Sequence, residues 1–523
     1  MTPPSHMTSP AASMPLREKL GQLVFVRIGS NLPPIRTVEE DEERVARLLH
    51  DCPVGGLLLF NGGPQTKAAL DRLQSVSKVP LLVAADIERG VGQQVKGFTL
   101  FPHAMAFERL GEDASQTVAA YARLLAHEAR AAGIHISFGP VADVNTNPKN
   151  PIIATRAFSE NADRAAELTA AYVAAAEAAG LRTTAKHFPG HGDTHQDSHD
   201  SLPSVPRSLH QLEACELRPF RAAIAAGCSL VMTAHVAYPA IDPTGSPATL
   251  SRTILQDVLR EQLGFGGVIC SDSLLMAGVR DRFATEYEMA LATLMAGVDL
   301  LLDINDPAKV VDYLVRCIER GTLSRRRIDE AFDRVWALKE RILSGLPGKA
   351  VHADEGFETA AAELANHVAT RAIEVVSGGA PAALPLRRDE PLAAILLKPF
   401  ETANDPPEQP LAAALREHFR EVTYLQLGPR ADSAAYEAAY QLARGAKQML
   451  LAMIVRPAAW HAFGLRPEQS EFVGRLTRGR EAVVASLGVP YALNDYPEAT
   501  VRICTYSDVP VSQQALAKLL VAN

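Results

Sequence analysis

No stretch of the 523-residue chain approaches the ~20 apolar residues that a membrane-spanning helix needs, so no membrane partner is expected. Charge of one sign is not concentrated either. The 52 Lys and Arg stand against 60 Asp and Glu, a formal balance of -8 without a block of like charges, which gives nucleic acid nothing to hold. Cysteine is scarce: Cys52, Cys215, Cys228, Cys270, Cys317 and Cys504 lie far apart, form no C-x-x-C pair and sit mostly in apolar runs such as Val268-Ile269-Cys270. Such thiols belong in the core of a protein from a reduced compartment and not in a disulfide framework. The first residues, rich in Pro, Ser, Thr and Met, lack the basic start and apolar centre of an export signal, and a cytoplasmic location is the expectation. The last 150 or so residues lack a glycine-rich phosphate fingerprint. No cofactor is expected.

What is present is alternation. From Gly21 onward, short β-branched or leucine-rich runs alternate with alanine-rich amphipathic stretches, as in consecutive βα units. Eight strands are expected at 23–28, 56–60, 81–86, 135–143, 183–188, 230–235, 268–272 and 298–303. Helices are expected at 113–132, 161–179 and 209–226, the last two ending at Gly180 and Gly227 as C-terminal caps, with a closing helix at 324–343. The charged run Arg325-Arg326-Arg327 reads as a solvated face. Together these predict a (β/α)8 barrel over 15–345, after a disordered N-terminus at 1–14. A linker with a helix follows at 346–372. The alternation then resumes with strands near 394–397, 422–427, 449–455, 482–487 and 501–506, so a smaller open-sheet α/β domain is expected over 373–523.

Polar groups collect at the expected strand C-termini: Asp86 and Glu88, Asp143 and Asn145, Lys186 and His187, His235, Asp272, Asp303. In a barrel those ends surround one mouth, where active sites are built. Any one of these carboxylates could merely cap the next helix, and Lys186 with His187 could form an ion pair beneath the mouth. Recurrence on six strands favours a shared pocket.

The densest stretch is Lys186 to His199. His187, His191, His195 and His199 recur at every fourth position, which on a helix would suggest a metal site and a metal-dependent hydrolase. Pro189, Gly190 and Gly192 argue against that helix. The stretch is read instead as a strand ending near Phe188 and a long loop, with no metal. The glycines would let the loop swing, while His191 and His195 are assigned no role.

If the mouth holds a sugar, cleavage of a glycosidic bond with retention needs a nucleophile and a proton donor flanking the anomeric carbon. Asp272, at the tip of an apolar strand, suits the first role. A histidine titrates near working pH without special burial and suits the second. In Asp197-Ser198-His199 an extended loop puts Asp197 and His199 on one side, where the carboxylate can orient the ring.

The segment 186–194, followed by Asp197-Ser198-His199 and Leu202-Pro203, resembles the signature of the β-N-acetylglucosaminidase (NagZ-like) branch of the family 3 glycoside hydrolases, two-domain form. Asp86-Ile87-Glu88-Arg89-Gly90, Thr155-Arg156-Ala157-Phe158-Ser159, Met232-Thr233-Ala234-His235 and Ser271-Asp272-Ser273 accompany it in the expected order. The resemblance implies a retaining exo-enzyme that removes terminal β-linked N-acetylglucosamine from peptidoglycan (muropeptide) or chitin fragments. It implies a covalent glycosyl-enzyme on Asp272 and His199, supported by Asp197, as acid and then base. Asp86, Arg156, Lys186 and His187 would hold the hydroxyls and the N-acetyl group. A β-N-acetylglucosaminide phosphorylase is the alternative, because a neutral imidazole does not repel phosphate as a carboxylate would. A catalytically dead sugar-binding relative is disfavoured by the joint presence of Asp197, His199 and Asp272.

The chain departs from the resemblance in three places. Arg89-Gly90 replaces a glycine pair, Gln94 replaces a sugar-contact arginine, and Ser273 replaces a second acidic residue. The second leaves the hydroxyl recognition, and with it the exact sugar, open. Trp460-His461 reads as local packing in a loop of the second domain, and nothing in the sequence bears on oligomeric state.

Overall fold

The computed structural model describes residues 13–198, 201–344, 355–376, 384–402, 405–479 and 481–522. His199 lies outside the described residues, as do most of the expected disordered N-terminus and the first part of the expected linker. Eight parallel strands form the first sheet: β1 (Val24–Ile28), β2 (Gly56–Leu59), β3 (Leu82–Ala85), β4 (Ile136–Ser137), β5 (Arg182–Phe188), β6 (Leu230–Thr233), β7 (Val268–Cys270) and β8 (Leu301–Leu302). Their order is β7-β6-β5-β4-β3-β2-β1-β8, and a parallel bridge from Cys270 to Leu300 joins the two ends into a barrel. The strands are short apolar runs because both faces are covered, by the barrel interior and by surrounding helices.

Local chemistry sets where the elements end. The Asn161 side chain accepts from the backbone N–H groups of Asp163 and Arg164 and starts the helix Ala162–Ala178, while Gly180 (φ +89°) lets the chain turn after it. The single helix expected over 209–226 is two, Leu209–Ala214 and Leu217–Ala225. The break buries the Glu216 carboxylate against Gly190, with Oε1 2.8 Å from Arg207 Nη1. In the closing helix, Arg325 and Arg326 pair with Asp329 and Glu330 on an exposed face. Arg327 instead turns inward, donating to Leu294 O, Val298 O and Asp299.

The strand expected over 135–143 shortens to β4, because the Pro140 ring removes a ladder donor. The chain then re-pairs with β5: Ala142 N–H donates to Lys186 O (2.6 Å), and Lys186 N–H donates to Pro140 O (3.2 Å). This detour carries Asp143 beside His187.

The second sheet contains β9 (Glu374–Val376), β10 (Leu392–Leu397), β11 (Val422–Leu427), β12 (Gln448–Met453), β13 (Val483–Ser486) and β14 (Val501–Cys504). The order is β11-β10-β12-β13-β14-β9, parallel except for the antiparallel edge strand β9. Alternate residues of β10 serve two cores: Leu392, Ala394 and Leu396 pack in one, Ile395 and Leu397 in the other. The fold is thus a (β/α)8 barrel plus an α/β open-sheet domain.

The helix Glu355–Ala372 packs on the barrel helix Ala114–Ala132 and on the C-terminal helix Pro510–Leu519. Its Phe357 stacks on His127 with ring centroids 3.8 Å apart. Polar bonds also join the domains: Asn145 Nδ2 donates to the Tyr491 hydroxyl (3.0 Å), which itself donates to Glu160, and His103 Nδ1 lies 2.8 Å from Ser507 Oγ.

Candidate active site

The strand C-termini open into a cavity of about 290 Å³ whose wall includes Asp86, Glu88, Arg156, Lys186, His187 and Asp272. Asp86 and Glu88 leave the end of β3, and Lys186 and His187 are the fifth and sixth residues of β5. Lys186 is 2% exposed, with Nζ 2.6 Å from both Asp86 Oδ1 and Glu88 Oε1. Arg156 makes a two-pronged pair with Glu88, Nε and Nη2 each donating over 2.9 Å, and Nη1 donates to Ile152 O. Two cations and two carboxylates therefore balance, with Lys186 buried, Glu88 nearly so and Asp86 partly open to the cavity.

The charges fix each other's protonation. Burial works to neutralise Glu88, but Arg156 and Lys186 outweigh it and hold its carboxyl well below the usual range. Burial likewise disfavours a charged Lys186, yet Asp86 and Glu88 raise its pKa. Asp86 Oδ2 has no protein hydrogen bond among the described residues, so one oxygen of this carboxylate is left for a ligand. The expectation of an ion pair beneath the mouth and that of a ligand site both describe Lys186, which pairs with Asp86 and also lines the cavity.

Beneath the cavity, fully buried Asp143 accepts from His187 through Oδ2 (2.7 Å to Nδ1) and from the backbone N–H of His191 through Oδ1 (2.6 Å). Burial pushes the Asp143 carboxyl up, and His187 more than offsets it. This bond orients the His187 ring, leaving Nε2 toward Arg156 at 3.5 Å. His191 was assigned no role from sequence, but it is buried and holds the loop: Nδ1 meets Thr194 Oγ1 (2.9 Å) and Nε2 meets Ser198 Oγ (3.0 Å). Its burial, with His187 nearby, holds it down at about 4. His195 Nδ1 lies 3.0 Å from Asn147 Nδ2. The described histidines of the 186–199 stretch thus face different partners and do not line one helical face. Among the described residues, no group of three side chains is placed to share a metal ion.

Asp272 follows β7 and enters the cavity from the side opposite β3, four strands away in the sheet order. Ser273 N–H donates to its Oδ1 (2.7 Å). Ser273 Oγ donates to Asp303 Oδ2 (2.6 Å), and Asp303 is held by Arg27. An acidic residue at 273 would set a like charge against Asp303. Asp197 is buried at the loop end, and its Oδ2 accepts from the backbone N–H of Trp460 (3.2 Å). The placement of His199 is not described.

Three of the strand-end residues serve elsewhere. Asn145 bonds Ala154 N–H and Tyr491, His235 bridges Thr249 Oγ1 and Ser273 O, and Asp303 pairs with Arg27. The cavity wall also includes Arg456, Pro457, Ala458 and Ala459 of the second domain and His103, none of which the sequence singles out, and Arg89, which it marks only as a departure. A loop after β12 has no motif to reveal it, whereas Glu88 was visible in the same Asp86-Ile87-Glu88 run. Trp460-His461 does pack locally, His461 stacking on Phe400 at 5.0 Å. Trp460 also reaches the loop carrying Asp197.

Comparison with known proteins places these features in a family context. Residues 15–338 match the Glycosyl hydrolase family 3 N terminal domain. The chain is 30% identical to a beta-N-acetylglucosaminidase/beta-glucosidase of Cellulomonas fimi, over 97% of this chain and 92% of that protein. It is 33% identical to beta-hexosaminidase A of Pseudoalteromonas piscicida over 57% of this chain, where the match spans 55% of that longer protein. Among solved structures, a glycoside hydrolase family 3 beta-N-acetylglucosaminidase from Paenibacillus sp. str. FPU-7 superposes with a TM-score of 0.85 at 30% identity, covering 97% of this chain and 96% of that one.

Proposed function

Because the chain belongs to glycosyl hydrolase family 3, we propose that it is a retaining exo-β-N-acetylglucosaminidase acting on terminal β-linked N-acetylglucosamine of peptidoglycan (muropeptide) or chitin fragments. The observation that carries this reading is one cavity holding Asp272 on one side and the Asp86, Arg156, Lys186 and His187 cluster on the other. The names of the Cellulomonas and Paenibacillus relatives support the sugar.

In this reading the Asp272 carboxylate attacks the anomeric carbon, the glycosidic C–O bond breaks, and His199 gives its proton to the departing oxygen. His199 then takes a proton from water as that water displaces Asp272, so two inversions leave the configuration unchanged. Asp197 keeps the imidazole oriented and more basic, and the Trp460 N–H bond fixes Asp197 in turn. Asp86 accepts from ring hydroxyls, while Lys186, Arg156 and His187 donate to ring oxygens and the N-acetyl carbonyl. Six cysteines free of disulfides, five of them buried, support the proposed cytoplasmic setting.

The test is to follow a nitrophenyl N-acetyl-β-glucosaminide by proton NMR with and without phosphate. Release of the β-anomer of N-acetylglucosamine before mutarotation, at a rate indifferent to phosphate, is expected. First release of the α-anomer contradicts retention, and a phosphate-dependent rate with a sugar 1-phosphate product would make the enzyme a phosphorylase.

A further inference from the structure

One side chain of the cavity wall has donors with nothing to donate to. The Arg89 guanidinium makes no hydrogen bond among the described residues; its nearest carboxylate is Asp508 of the second domain, with Nη1 3.9 Å from Oδ1. Its backbone is fixed, N–H donating to Gln93 Oε1 (2.9 Å) and O accepting from Phe101 N–H (2.8 Å). The side chain is 21% exposed and lines this cavity as well as a second one shared with Lys398 and Asp508.

Asp508 is already committed to Arg456, whose Nε donates to Oδ2 over 2.5 Å. Two arginines thus share one carboxylate, and Asp508 Oδ1 is buried without a hydrogen bond among the described residues. Burial works to raise Asp508, but Arg456 first and Arg89 with it hold it at about 2, so it is an anion throughout the working range. Nearby Gln94 is tied back, Nε2 donating to Asp86 O and Oε1 accepting from Asn31 Nδ2, both at 3.2 Å, and it carries no charge.

Resting on the N-acetylglucosaminidase reading, we propose that Arg89 is the cationic donor to the sugar hydroxyl farthest from the anomeric carbon, and that Asp508, anchored by Arg456, positions it from the second domain. The topology selects the hydroxyl. Arg89 follows β3 and Asp272 follows β7, which lie opposite each other in the barrel. A pyranose with its anomeric carbon at Asp272 directs the hydroxyl on the facing ring carbon, position 4, toward Arg89. The second domain is then part of the sugar subsite.

The experiment is a cycle of two enzymes and two substrates: wild type and Arg89→Ala, each with nitrophenyl N-acetyl-β-glucosaminide and its 4-deoxy analogue. Arg89→Ala is expected to lower kcat/KM on the parent sugar about 10- to 100-fold, the range for a charged hydrogen bond, and to leave the 4-deoxy sugar nearly unchanged. Asp508→Asn should raise KM on the parent sugar with little change in kcat, and should add nothing in the Arg89→Ala background. Equal loss on both sugars, or no loss on either, overturns the proposal. Arg89→Gln, which keeps bulk without the charge, replaces Arg89→Ala if the latter does not fold. If wild type ignores N-acetylglucosaminides, the functional reading fails by itself, and the same cycle on whichever nitrophenyl glycoside it does cleave still decides the role of Arg89.

Discussion

Lys186 shows how much one residue can organise. Its ammonium lies 2.6 Å from two carboxylates, so its removal leaves Asp86 and Glu88 facing each other with Arg156 as the remaining cation. Lys186→Met is expected to lower stability by about 3–5 kcal/mol, the cost of breaking a buried pair, read as a fall in the urea midpoint. An unchanged midpoint would show that Asp86 is solvated. His199→Ala should slow substrates with poor leaving groups by about 10²- to 10⁴-fold while sparing nitrophenyl glycosides at the first step. Equal loss on both would remove His199 from the acid role. Asp86, Lys186, His187 and Asp272 were legible because each sits in a contiguous motif at a strand end, and Arg156, in the turn Ala154–Arg156 after β4, only through the resemblance carried by Thr155-Arg156-Ala157-Phe158-Ser159. Arg89 was legible only as a departure, and Arg456 not at all, because its contact with the cavity is made by a loop of the other domain.

At the scale of elements, the loop after β5 corrects an expectation. Its glycines were read as hinges, but they are packing sites. A Cβ on Gly192 would stand 1.7 Å from Val144 O, and one on Gly190, which is at φ +137°, would stand 2.7 Å from Glu216 Cβ. Asn150 Nδ2 donates to His191 O (2.8 Å) and the Tyr238 hydroxyl to Gly190 O (2.5 Å), tying the same turn down. Gly192→Ala is therefore expected to give little folded protein, or a protein destabilised by about 3 kcal/mol, the upper end of the overpacking range, read as a fall in the urea midpoint. A variant with wild-type stability and faster turnover would restore the hinge reading. Strand existence and order were legible from apolar periodicity. The break at Cys215 was not, since it is set by tertiary partners, Gly190 and Arg207, whereas the early end of β4 was signalled locally by Pro140 and overrun by the expected strand.

For the whole molecule, buried titrating groups give folding a definite pH dependence. Burial, with Lys67 and His187 as the next influences, holds His135 and His191 at about 4; burial and Arg89 hold His103 well below the imidazole range. Unfolded histidines have pKa values of about 6.5, so between there and about pH 4 the unfolded chain binds protons that the folded chain refuses. Stability is therefore full above that window and falls through it on acidification. Below it, Asp143, Glu88 and Asp508, all depressed by their cationic partners, continue the loss in the same direction. The urea midpoint should drop between pH 7 and pH 5, and a flat midpoint there would show these rings to be protonated in the fold. The two-domain architecture was legible from the alternation alone, but the joint wall of the cavity was not, since no local pattern reports which loop of one domain meets the mouth of the other.

The central claim is that Asp272 carries the sugar during turnover. Quenching His199→Ala with acid during reaction with a nitrophenyl N-acetyl-β-glucosaminide, then mapping its peptides by mass spectrometry, tests this directly. The Asp272 peptide is expected to gain one N-acetylglucosaminyl residue, because without the base the second step is slow. Turnover with no adduct on any peptide, or an adduct on a residue other than Asp272, would contradict the account.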